Sequence, residues 1–75
     1  LRPPVALFVD DLPVHHESVV KHAPEVWRLH MVAEPNMARL WPPAPHAHAR
    51  IDDWDEALPW ILERLNGAPA KEEAA

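Results

Sequence analysis

Apolar and polar positions switch between two periods along this chain, and the switches mark its elements. Val5-Ala6-Leu7-Phe8-Val9 is a continuous apolar run containing β-formers, bracketed by Pro3-Pro4 and by Asp10-Asp11. Such a run predicts a strand covered on both faces. Pro13 suits the first turn of a helix, where its missing N–H has no helical partner, and Val14 to Ala23 can continue the helix until Pro24 stops it. Val19, Val20 and Ala23 give that helix a narrow apolar side, while Glu17 and Lys21 are spaced as a favourable exposed pair. From Val26 to Ala33 the period returns to two, with Trp27, Leu29, Met31 and Ala33 on one face and Val26, Arg28, His30 and Val32 on the other. The segment between the strands is long enough for a parallel crossover through a helix, so the first half reads as a right-handed β-α-β unit.

Residues 34–48 hold Pro35, Pro42, Pro43 and Pro45 among Met37, Leu40 and Trp41, which predicts a long irregular segment that still has apolar groups to bury. Ala49-Arg50-Ile51 follows as a brief third strand. Asp52 or Asp53 then caps a helix, with Asp53 and Glu56 spaced as a capping box. Trp54, Ala57, Leu58, Ile61, Leu62 and Leu65 form the clearest helical stripe in the chain, ended by Gly67. Pro59 inside it implies either a start near Asp55 or a bend in the first turn. Residues 68–75 lack a bulky apolar side chain and read as a flexible tail. The order β-α-β-loop-(short β)-α over residues 1–67 is that of a partial Rossmann-like, layered α/β fold.

Composition narrows the picture. With 75 residues and 48% hydrophobic content, the chain is one small domain, and at this size folding buries only about 60% of the unfolded surface. The chain has no cysteine, so neither disulfides nor thiolate chemistry enter. No apolar run reaches the ~18 residues of a membrane span and no signal peptide is visible, which predicts no membrane and a cytoplasmic protein. Twelve acidic against seven basic residues give a net charge of −5; this opposes phosphate neutralisation and predicts no nucleic-acid partner. The text opens on Leu1 and runs at once into a strand, as a segment cut from a longer chain would. A missing N-terminal half, or self-association through the surfaces it leaves bare, is the corresponding expectation.

The residues with most chemical content are Asp10 and Asp11. Two adjacent carboxylates at the carboxyl end of a buried strand, followed at once by a helix N-terminus, stand where parallel α/β sheets place their ligand crevice. Hard oxygen donors there suit Mg²⁺, which takes one or two protein carboxylates and leaves its other positions to water and phosphate. The bland alternative is a pair that caps the helix and faces water. The histidines do not suggest zinc: His15 and His22 lie about 10 Å apart along a helix axis, and His46 and His48 lack a third ligand. His15 and His16, just after the pair, read as exposed first-turn helix residues, with lining of the phosphate crevice as the alternative. Trp27, Trp41, Trp54 and Trp60 read as core or interface packing, and Met31 and Met37 as gap fillers.

Leu7-Phe8-Val9-Asp10-Asp11-Leu12-Pro13 and the helix after it resemble the fourth motif of haloacid dehalogenase-like (HAD) hydrolases. In that family an apolar strand ends in an acidic pair that holds Mg²⁺ beside a phosphate. The second strand and C-terminal helix match its closing elements in order. The resemblance implies a HAD-like fold and a phosphatase-type parent acting on a phosphorylated small molecule, with Asp11 as a direct Mg²⁺ ligand and Asp10 as a direct or water-mediated one. The family's aspartate nucleophile, its acid/base aspartate and its phosphate-holding Ser or Thr and Lys belong upstream of this segment, so the chain alone is expected to be inactive. The same residues, through Val14, are similar to response-regulator receiver domains, whose phosphoacceptor aspartate would fall on Asp52 or Asp53. An inert binding or pseudo-enzyme fragment is the third reading.

Overall fold

The computed structural model describes residues 5–70; Pro3-Pro4 and the expected tail residues 71–75 lie outside them. The elements are β1 (Leu7–Asp10), α1 (Pro13–His22), β2 (Trp27–His30), α2 (Pro35–Ala38), β3 (Ala49–Arg50) and α3 (Trp54–Leu65). The three strands form one parallel sheet in the order β1-β2-β3. Leu7 lies opposite Trp27, Asp10 opposite His30, and Leu29 opposite Ala49. The molecule is therefore a small α/β domain whose strands all point their carboxyl ends the same way.

Each boundary has a local cause. The ladder between β1 and β2 extends beyond the strands, from Trp27 N–H on Ala6 O (3.0 Å) to Met31 N–H on Asp10 O (3.1 Å). On the other edge of β2, the one facing β3, Val32 N–H donates to the Asp52 carboxylate at 2.9 Å. The strand β2 covers Trp27–His30, within the longer alternating pattern from Val26 to Ala33. Pro13 opens α1, and Glu17 and Lys21 pair at 3.3 Å as the spacing predicts. The segment 34–48 is not wholly irregular: Pro35 starts the short helix α2, whose Met37 N–H is capped by the Glu34 carboxylate at 2.8 Å. Arg50 then pins the region, donating to Ala38 O at 2.9 Å, Trp41 O at 2.8 Å and the Asp52 carboxylate at 2.5 Å. Asp53 caps α3: its carboxylate accepts the Asp55 N–H at 3.2 Å, and its backbone carbonyl accepts the Glu56 N–H at 3.2 Å. The helix starts at Trp54 and runs through Pro59.

The two faces of the sheet are covered by different chemistry. On one, Leu29, Met31 and Ala57 form the buried core, with Val9, Ala49, Ile51, Trp60 and Ile61 packed against it. Trp27 and Trp60 meet edge to face at 6.2 Å, and the Arg64 guanidinium lies over both rings. On the other face Phe8 meets His16 of α1 at 5.2 Å, and His16 meets His30 of β2 at 5.5 Å. The α3 stripe is only half used: Ala57 and Ile61 turn inward, whereas Trp54, Leu58, Leu62 and Leu65 stay 42–57% exposed. A three-stranded sheet is too narrow to cover the whole apolar arc of the helix.

The segment after α3 returns to the sheet. Trp27 Nε1–H donates to Ala68 O at 2.9 Å and Ala70 N–H to Glu25 O at 2.9 Å, so residues 68–70 are tied down where a flexible tail is expected. Among the described residues no helix is long and apolar enough to cross a membrane.

Candidate functional site

Asp10 is the last residue of β1 and shares the α1-facing side of that strand with Phe8, since side chains two apart lie on one face. Asp11 stands in the bend that follows and is exposed. Pro13 begins α1 immediately afterwards, with Leu12 in the N-cap position, where no side chain caps the helix. The acidic pair thus sits at the carboxyl edge of a parallel sheet beside an uncapped helix N-terminus. This is the placement expected from the sequence, and it favours negatively charged ligands and the cations that accompany them.

The surroundings of Asp10 are more elaborate than the sequence suggests. His15, half exposed on the first turn of α1, directs Nδ1 onto the Asp10 carboxylate. Burial pushes the Asp10 carboxyl up, but hydrogen bonds from His15 and from the Asp11 backbone N–H more than offset this and hold it below its ordinary range. The carboxylate is therefore ionised at neutral pH. Phe8, Asp10, His15, Ser18 and Val19 line an open cleft of about 290 Å³.

His16 departs from expectation: it is not an exposed first-turn residue but fully buried. Its Nε2 donates to Asp10 O at 3.0 Å, and its buried Nδ1 has no hydrogen-bond partner among the described residues. His30 is equally buried; Nδ1 accepts the Ala44 N–H at 2.9 Å, which leaves Nε2–H to donate to Asp11 O at 2.8 Å. Two buried imidazoles thus hold the backbone carbonyls of the acidic pair from beneath. Sequence reasoning missed this support. The available signal was weak: His30 shares its predicted strand face with Val26 and Val32.

Burial is the main reason the His16 imidazole titrates below its ordinary value. The folded state then binds fewer protons than the unfolded one, so stability is full above about pH 6.5 and falls as the pH drops below that value. Asp10 and Asp52 are both lowered; at Asp52 burial pushes the carboxyl up, but the hydrogen bonds from Arg50 and Val32 N–H and the Arg50 charge together outweigh it. Their contributions persist above about pH 4 and vanish on further acidification through their folded values. Urea midpoints measured against pH should therefore fall in two stages, and His16→Phe should remove the upper one.

No three His, Asp or Glu side chains among the described residues converge as a metal cage. His22 bonds Ser18 O, and His48 engages Arg28, its Nδ1 accepting the backbone N–H at 3.0 Å, so these two rings are engaged away from the acidic pair. The donor set at Asp10-Asp11 instead fits a hard, largely hydrated cation: the Asp10 carboxylate, held ionised beside the open cleft, and the exposed Asp11 carboxylate in the bend after it. Asp52 and Asp53 are committed elsewhere, to Arg50 and Val32 N–H and to the α3 cap. No protein-family profile, curated protein or solved structure matches the chain.

Proposed function

We propose that this chain supplies the acidic, Mg²⁺-handling part of a HAD-like phosphohydrolase site, acting on a phosphorylated small molecule. The observation that carries this reading is the ionised Asp10 carboxylate at the carboxyl end of a parallel edge strand, next to Asp11 and the uncapped start of α1. Asp10 and Asp11 would hold the ion, which supplies charge neutralisation for the phosphoryl oxygens. The first turn of α1, whose N-cap carries no competing side-chain acceptor, favours the same anion. The outer edge of β1 pairs with no described strand. A strand bearing the nucleophile and acid/base aspartates can add there in parallel and end beside Asp10. By itself the chain offers no carboxylate nucleophile in that position, so it should not turn over a phosphomonoester.

One observation weighs against the receiver reading. A receiver places its phosphoacceptor strand next to the strand carrying the acidic pair, but here β2 separates β1 from β3. Incubation with acetyl phosphate and Mg²⁺, followed by intact-mass spectrometry, separates the two. Our reading expects an unmodified chain. A phosphoryl group on Asp52 or Asp53 would replace it with the receiver reading.

A further inference from the structure

We propose that His15 is a positioning residue for the cation site: it holds one oxygen of the Asp10 carboxylate and thereby presents the other to the ion or its bound water. The inference rests on the Mg²⁺ reading above and assigns a role to a residue outside the acidic pair.

The contact is specific to Oδ2 of Asp10, and Oδ1 is not drawn into it. An ionised carboxylate only accepts, so Nδ1 of His15 must carry the proton. Pro13 fixes the first helical turn, and His15 N–H donates to Leu12 O at 3.1 Å, which places residue 15 directly over the end of β1. Asp10 itself is held from below, since His16 Nε2 and Met31 N–H both bond its carbonyl oxygen. The main chain is therefore anchored at both residues, and the hydrogen bond from the His15 ring restrains the carboxyl group of Asp10.

That restraint matters because the next residue is another aspartate. Two carboxylates side by side repel and, if mobile, turn apart into water; an ion held by both needs them kept convergent. A hydrogen bond on the outer oxygen supplies the orientation without removing the charge, which is how ligating carboxylates are commonly supported. His15 and Asp10 border the same open cleft with Ser18 and Val19, so a hydrated ion has a path to the Asp10 carboxylate. The opposite possibility is that His15 competes with the ion for Asp10; it predicts the reverse sign for removal of the ring.

The test measures Mg²⁺ affinity of the full chain by calorimetry, with a thermal melt on each variant. His15→Ala should weaken binding by about 10-fold or more, the lower end of what supporting hydrogen bonds to metal ligands contribute. His15→Asn places an amide N–H near the Nδ1 position and should restore affinity to within about 3-fold of the parent; His15→Gln places it near Nε2 and should not. Equal or tighter binding in His15→Ala would overturn the proposal in favour of competition. Equal weakening in all three variants would reduce His15 to a structural role and overturn it as well. If the parent chain itself binds no Mg²⁺, the metal reading fails first and the proposal falls with it.

Discussion

Replacing Arg28 with Met should cost about 3–5 kcal/mol, enough to unfold much of a small domain whose total stability is of order 5 kcal/mol. Arg28 is 1% exposed, in the middle strand of the sheet. Its Nε donates to His46 O at 2.6 Å, and Nη1 donates to Val26 O at 3.0 Å and Pro24 O at 3.2 Å. One guanidinium thus ties the turn that precedes β2 to the loop that precedes β3. Met conserves most of the apolar stem but leaves these carbonyls without their donor in a buried setting, where each lost partner costs about 1–3 kcal/mol. Lys should be intermediate, since a single ammonium cannot fork to three acceptors. Urea unfolding followed by tryptophan fluorescence reads the change, because Trp27 and Trp60 pack together. A loss below about 1 kcal/mol would show that the carbonyls find other donors.

Asp10→Asn should separate function from folding. The amide still accepts from His15 through its oxygen and keeps the shape of the side chain, but the negative charge is gone. Because the fold holds the Asp10 carboxyl below its ordinary range, the ionised form is the stabilising one and Asn should cost something at neutral pH. The site is partly open to solvent, so that cost should stay within about 1 kcal/mol. Mg²⁺ affinity should fall by about 100-fold or more, beyond the usual effect of losing only a supporting partner. Saturating Mg²⁺ should accordingly raise the melting temperature of the parent and leave that of Asp10→Asn unchanged. A parallel loss of stability and binding would mean that Asp10 acts mainly as a structural residue.

The path from sequence to this site was uneven for physical reasons. A continuous apolar run located β1, Pro13 and Pro24 bounded α1, and periods of two and of 3.6 located β2 and α3, which each bury one repeated face. Periodicity could not tell which side of the α3 arc meets the sheet. Ala57 and Ile61 do, and Leu58 and Leu62 do not, because the width of the sheet is a property of the whole fold. The short α2 had a readable signal in Pro35, whose ring suits the first helical position. Asp10 and Asp11 were legible as a pair at a strand end. Their support was not: Arg28, His16 and His30 look like solvent-facing polar residues until their partners at Pro24, His46, Asp10, Asp11 and Ala44 are brought to them by the crossover connections. Polar burial depends on partners remote in sequence, and local pattern carries no record of them.

The most direct test of the account is a Mg²⁺ titration of the full chain followed by two-dimensional amide NMR. The account predicts saturable shifts concentrated at Asp10, Asp11 and the first turn of α1, and their loss in Asp10→Asn. Amides that stay unmoved there, or shifts centred instead on Asp52 and Asp53, would contradict it.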